Sequence, residues 1–257
     1  MVRSSVPRKI LGVIPARFSS TRFPGKVLAP IGGKTMLEHV YQRASQTTYL
    51  TNVIIGTDDE RVYNVAGSFG ARVRMTRSDH RTGTDRVAEV ASAEDAELVV
   101  NIQGDEPLID PAAIDAAILP MVHEPELVMG TLKKRIENPR EITDPNVVKV
   151  VTDRAGDAIY FSRCPIPFAR GESGGTPYFK HIGLYVYRRD FLLEYSALPV
   201  GPLEIAERLE QLRALENGFR IRVVETEYES LGVDTPEDLE RVSRLFDASI
   251  LQGMGNG

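Results

Sequence analysis

In the first half of the chain, short apolar runs alternate with stretches whose apolar residues recur every three to four positions. ILGVI, NVIIGT, ARVRM and ELVVNI are β-rich runs, and TMLEHVYQRA, DERVYNVAGSFG, TDRVAEVASA and PAAIDAAILPMV carry helical spacing. Strand, helix, strand, helix in this rhythm predicts right-handed βαβ units and a mostly parallel sheet covered on both faces, an α/β fold. After Met121 the rhythm changes. LVMGTLKK, NVVKVVTD, AIYFS and KHIGLYVYRR read as strands without long helices between them, which predicts a smaller antiparallel or mixed lobe.

ARGESGGTPYF, rich in glycine and without periodicity, reads as a mobile loop. PLEIAERLEQLRALENG reads as one helix with Pro at its start and Gly past its end. RIRVVET is a strand, TPEDLERVSRLF a capped final helix, and ILQGMGNG a frayed tail. With no repeat and no linker, the expectation is one domain over 1–257. About 10–120 and 215–249 form its core, and about 121–214 an embedded lobe.

Composition narrows the class. At 257 residues, 42% hydrophobic and 26% charged, the chain buries a full core. No signal-type apolar run follows the N-terminus, and Cys164 is the lone cysteine, which excludes an internal disulfide and fits a reducing, cytoplasmic setting. A net charge of -5 argues against nucleic acid and anionic membranes as partners. The charge is uneven, however. Residues 1–37 hold seven Lys/Arg and no acid, leaving 24 bases against 36 acids, a net of -12, elsewhere. An anion-binding end on an acidic body is the simplest reading.

In an open α/β sheet, ligands bind beyond the carboxyl ends of strands, so the loops after strands hold the candidates. PARFSSTRFPGKVL follows ILGVI and holds Arg17, Arg22 and Lys26, with Ser19, Ser20 and Thr21 as hydroxyls and Gly25 for a tight turn. Three cations suit a polyphosphate; a solvated basic loop is the alternative. The stretch lacks the glycine pattern of a P-loop. VVNIQGDEPLI ends a strand in Gln103, Gly104 and Asp105, where a carboxylate suits a hard cation held jointly by substrate phosphates, or merely forms a turn. Asp234, in ESLGVDTPEDLE, is either a second carboxylate for that cation or a helix cap. MTRSDHRTGTDRVAEV brings Arg77, Ser78, His80, Thr82 and Gly83 to a helix start, fit for an anion, for a base edge or for capping.

In the later lobe, Arg163 follows AIYFS, and His181, Gly183 and Tyr185 share one face of KHIGLYVY. Glu210 and Gln211 sit in the helix pattern of AERLEQLRAL. Together they suit an acidic, polyhydroxylated ligand, although each alone reads as ordinary.

These motifs, in this order, resemble the 3-deoxy-manno-octulosonate (Kdo) cytidylyltransferases, within the wider nucleotidyltransferase group that includes CMP-sialate synthetases. IPARFSSTRFPGK, TRSDHRTGTDR, NIQGDEPLI, NVVKVV, YFSRCPIP, KHIGLYVYRRDF, PLEIAERLEQLR and GVDTPEDLERV carry the likeness from about Ile10 to Leu245. It implies a Rossmann-like nucleotidyltransferase sheet, and transfer of the cytidylyl group from CTP to Kdo with release of pyrophosphate, for lipopolysaccharide biosynthesis. It also implies Mg²⁺ as cofactor and a homodimer joined through the later lobe.

Carried over, Arg17, Arg22 and Lys26 hold the CTP phosphates, with Ala16 beside them. Arg77, Thr82 and Gly83 lie near the cytidine, and Asp105 and Asp234 bind Mg²⁺. Arg163, His181, Tyr185, Glu210 and Gln211 line the sugar pocket, with Gln103 between the substrates. Arg17, Lys26, Asp105 and Asp234 make up the catalytic set. STRFPGK favours Kdo over sialic acid. An 8-amino derivative of Kdo, another ulosonic acid and a non-catalytic nucleotide-binding regulator stand as alternatives.

Overall fold

The computed structural model describes residues 9–20, 23–170 and 175–254. By contact density the chain forms two compact units. One comprises Lys9–Ala96, Asn101–Ala112 and the residues from Ser230 onward; the other comprises Glu97–Val100 and Ala113–Glu229.

In the first unit β1 (Ile10–Ala16) is buried along nearly its whole length, as expected of an apolar run inside a sheet. A 3₁₀ turn (Lys26–Leu28) and a small hairpin of β2 (Pro30–Ile31) and β3 (Lys34–Thr35) lead to α1 (Met36–Ala44). The Thr35 hydroxyl caps α1 by accepting from the Glu38 amide at 3.2 Å. Then come β4 (Asn52–Thr57), α2 (Glu60–Ser68), β5 (Arg72–Met75) and α3 (Gly83–Ser92). β1 pairs parallel with β4, Ala16 opposite Thr57, and β4 pairs parallel with β5, so the ends of these strands face the same way.

β6 (Leu98–Asn101) is fully buried and is followed by α4 (Pro111–His123), whose start is fixed by the Asp110 carboxylate accepting from the Ala112 amide at 2.9 Å. The second unit continues with β7 (Met129–Arg135), α5 (Arg140–Thr143), β8 (Lys149–Thr152), β9 (Ala158–Ser162) and β10 (Phe179–Arg188). After these come α6 (Arg189–Tyr195), α7 (Pro202–Glu207), α8 (Leu212–Glu216) and β11 (Ile221–Glu225). β10 runs antiparallel to β7 and β8, β8 antiparallel to β9, and β11 parallel to β7. The class is therefore α/β, parallel in one unit and mixed in the other.

The single helix expected over PLEIAERLEQLRALENG is two. Arg208 takes a left-handed conformation (φ 52°, ψ 48°), which ends α7 and turns Leu209, Gln211 and Leu212 inward. Glu210 and Gln211 thus lie in a turn and not on a helix. Part of ARGESGGTPYF, 171–174, lies outside the described residues.

The closing helix α9 (Pro236–Met254) begins with a reciprocal cap. The Asp238 amide donates to the Thr235 hydroxyl at 3.2 Å, and the Asp238 carboxylate accepts from the Asp234 and Thr235 amides at 3.1 Å. Its apolar face, Val242 and Phe246, packs with Val233 on Ala29, Ile31 and Met36. That packing holds the Asp234 turn in the same unit as the 3₁₀ turn of Lys26.

Candidate active site

Two loops and one helix start meet in the first unit around a cavity of about 390 Å³, lined among others by Arg17, Ser19, Lys26, Gly83, Gln103 and Asp105. Each arrives for a local reason. The Phe18 carbonyl accepts from the Gly25 amide at 2.8 Å, and Gly25 is left-handed (φ 74°), where a Cβ would stand 2.9 Å from the Phe18 ring. This turn sends Lys26 inward. Gly104 lets the loop after β6 approach β1, since a Cβ there would lie 3.0 Å from the Pro15 carbonyl oxygen.

The Lys26 ammonium is the hub. It donates to Asp105 Oδ2 at 2.7 Å, to Asp234 Oδ1 at 2.9 Å and to the Val233 carbonyl at 2.9 Å. Burial pulls its pKa down, but the charge and hydrogen bonds of Asp105, and then of Asp234, outweigh this and hold it above the ordinary lysine value. The Val233 amide in turn donates to the Asp105 carbonyl at 2.9 Å, tying the two carboxylate loops backbone to backbone.

Arg17 uses one guanidinium nitrogen to hold the carbonyls of His80 (3.0 Å) and Thr82 (2.8 Å), and the side chain lines the cavity. It therefore fixes the loop before α3. Thr82 and Asp85 form a capping box there, so the helix start has the capping role read from the sequence. Gly83 reaches the cavity; Arg77 does not line it. The Arg77 guanidinium is largely exposed, 3.3 Å from Asp79. Ala16 is buried at the end of β1, so only its backbone can face a ligand. Arg22 lies outside the described residues.

The donor set around Lys26 suits a hard divalent ion. Asp105 and Asp234 converge on one nitrogen, and oxygen ligands from one or two carboxylates, completed by phosphate and water, are what Mg²⁺ takes. No group of three or more acidic, histidine or cysteine side chains fit for a metal exists among the described residues, so such an ion depends on its substrate for further ligands.

The second unit holds the other polar set. The His181 and Tyr185 rings lie 5.4 Å apart on one face of β10. Thr131 brings its hydroxyl within hydrogen-bond range of the Leu184 carbonyl at 2.8 Å and of His181 Nε2 at 3.0 Å. Because the hydroxyl proton goes to a carbonyl, the imidazole donates from Nε2 and Nδ1 is the acceptor. Desolvation pulls His181 down to about 3, so the ring is neutral. Burial, then the nearby Tyr195 and Glu210, push Tyr185 well above its ordinary value. Gln211 is almost fully buried, and its side-chain amide nitrogen has no hydrogen-bond partner among the described residues.

Arg163 is engaged differently from a free carboxylate clamp. Its guanidinium donates to the carbonyls of Glu207 (2.7 Å), Pro145 (2.9 Å) and Arg208 (3.4 Å), and its amide to the Glu207 carboxylate at 2.9 Å. It thereby satisfies the carbonyls that end α7. Thr131 and Glu207, which orient His181 and Arg163, carried no sequence signal: one is a lone threonine in a strand, the other a lone glutamate in a helix pattern.

A cytidylyltransferase family model matches residues 11–223. A 3-deoxy-manno-octulosonate cytidylyltransferase of Solibacter usitatus is 83% identical over 98% of this chain and 100% of its own length, and one of Geobacter metallireducens is 57% identical over 91% and 96%. A solved CMP:2-keto-3-deoxy-manno-octonic acid synthetase complexed with CTP superposes with a TM-score of 0.90 at 44% identity, covering 94% of this chain and 99% of that one. A 4-diphosphocytidyl-2C-methyl-D-erythritol synthase, at 16% identity and a TM-score of 0.60, shares the fold alone. The chain belongs to the cytidylyltransferase family, among the 3-deoxy-manno-octulosonate cytidylyltransferases.

Proposed function

We propose that this protein transfers the cytidylyl group from CTP to Kdo, giving CMP-Kdo and pyrophosphate for lipopolysaccharide biosynthesis. The observation that carries the reading is the convergence of Lys26, Asp105 and Asp234 beside an Arg17-lined cavity, in a chain of this family. The anomeric oxygen of Kdo bonds to the α-phosphorus, the bond from that phosphorus to the bridging oxygen breaks, pyrophosphate leaves, and the hydroxyl proton passes to solvent. Such a transfer asks mainly for alignment and charge stabilisation.

Arg17, Arg22 and Lys26 take the phosphates and the departing pyrophosphate. The α3 start at Thr82 and Gly83 and the loop it belongs to, with Arg77, take the cytidine. Asp105 and Asp234 hold Mg²⁺, which when bound neutralises phosphate charge and acidifies the attacking hydroxyl. Gln103 lies between the substrates. His181, Tyr185, Glu210 and Gln211 orient the sugar, the unpartnered Gln211 amide being a ready donor, and Arg163 shapes that pocket from the end of α7. His181, neutral and tied to Thr131, serves as an orienting group and not as the base.

A cytoplasmic setting is proposed with it, in keeping with the absence among the described residues of any helix long and apolar enough to cross a membrane. Pyrophosphate release tests the reading. CTP with Kdo is expected to turn over faster than CTP with sialic acid or hexose phosphates. Asp105→Asn and Asp234→Asn are expected to lower kcat by about 10²-fold or more with unchanged circular dichroism. Faster turnover with another acceptor refutes the Kdo assignment, and near-normal rates in either variant remove that residue from the metal site.

A further inference from the structure

Lys26 is proposed to hold phosphate, yet its ammonium is fully engaged elsewhere. It has three N–H donors, and three acceptors surround it: Asp105 Oδ2, Asp234 Oδ1 and the Val233 carbonyl. Holding this triad and holding a phosphate are therefore alternative states of one side chain. The two carboxylate oxygens it occupies are also the oxygens a hard cation would take.

We propose that the Lys26 ammonium is a built-in counter-cation that competes with divalent metal for Asp105 and Asp234, so that metal binds the free protein weakly and binds well only once nucleotide phosphates draw Lys26 away. The inference rests on the reading that these two carboxylates form the metal site.

Charge and reach both support the exchange. A dication placed beside an ammonium that already cancels one of the pair's two negative charges meets repulsion, and it gains only the attraction left over. Removing the ammonium leaves two carboxylates close to one another at the cavity rim, Asp105 29% and Asp234 48% exposed, where Lys26 itself is 12% exposed. Such a pair favours any cation that replaces the lost one. Lysine carries its charge on a flexible four-carbon stem, and Lys26 lines the 390 Å³ cavity into which it would swing. The coupling is reciprocal: nucleotide raises the affinity for metal by the factor by which metal raises the affinity for nucleotide. The two then load together, and metal without nucleotide is discriminated against.

The experiment measures Mn²⁺ binding to the nucleotide-free, full-length protein by electron paramagnetic resonance, with melting curves in parallel. Lys26→Met is expected to bind Mn²⁺ on the order of tenfold more tightly than the unmodified protein, and to gain more thermal stability from Mn²⁺. Lys26→Arg, which keeps the cation, stays near the unmodified affinity. If Lys26→Met does not fold, Lys26→Gln, which keeps a hydrogen-bonding end, takes its place. Mn²⁺ binding that depends on Asp105, shown by its loss in Asp105→Asn, but is unchanged or weaker in Lys26→Met or Lys26→Gln overturns this inference and leaves the metal site standing. Mn²⁺ binding indifferent to Asp105→Asn overturns the metal site, and this inference with it.

Discussion

His181 shows how one side chain can carry a pH signature without taking part in proton transfer. Its ring sits against Phe161 and Tyr185, with centroids 5.0 Å and 5.4 Å away, and its Nε2 is committed to Thr131. The unfolded chain binds a proton near the ordinary value of 6.5, whereas the native ring resists one until about 3. Across that window the unfolded state holds more protons, so stability rises with pH and is lost as pH falls below 6.5. Urea midpoints measured from about pH 6.5 to about pH 5 are expected to decline less in His181→Gln than in the unmodified protein. Parallel profiles would show that His181 does not carry the dependence.

Among the elements, the break between α7 and α8 is the informative one. The apolar and polar spacing of PLEIAERLEQLRALENG suits a continuous helix. The break comes from a tertiary demand: Leu209, Gln211 and Leu212 turn inward, and Arg163 and the Glu207 carboxylate lock the end of α7. Such a partner lies 44 residues away in sequence and leaves no local signal. Arg208 bears the strain, a non-glycine residue at φ 52°. Arg208→Gly is expected to raise stability by about 1 kcal/mol, read as a higher urea midpoint with an unchanged slope. A lower midpoint would mean that the Arg208 side chain itself stabilises the turn.

Most of the longer elements were legible because each rests on a local rule, whereas the 3₁₀ turn, the β2–β3 hairpin, α5 and α6 were not read from the sequence. β1, β4 and β6 are apolar on both faces, α1 and α9 open on Thr caps, and Gly25 and Gly104 mark turns that only glycine fits closely. The candidate site was legible in its cations and carboxylates: Arg17 and Asp105 follow β1 and β6 as expected, whereas Lys26 opens the 3₁₀ turn and Asp234 lies in the turn before α9 and not at a strand end. The direct ion pairing of Lys26 with both aspartates was not legible, because it depends on two loops brought together by α9 packing on Ile31 and Met36.

At the scale of the molecule, the unit that holds His181 and Tyr185 exposes Ile159 (61%), Phe168 (88%), Val200 (53%), Leu203 (41%) and Ile205 (66%). We propose that these side chains are buried against a second copy of the chain in a homodimer. Sedimentation is expected to give a dimer mass, and Phe168→Asp combined with Ile205→Asp is expected to shift it to a monomer. A monomer mass for the unmodified protein would refute the assembly.

The bond from Lys26 to the Val233 carbonyl spans 207 positions of sequence. Contacts this distant form late, after the chain between them has ordered. During synthesis the Lys26 turn and the Asp105 loop emerge long before Asp234, so an unfinished chain holds only half of its carboxylate pair. With the carboxylate pair as the proposed metal site, the ability to consume CTP is therefore expected only once translation has passed residue 234 and α9 has packed on Ile31 and Met36.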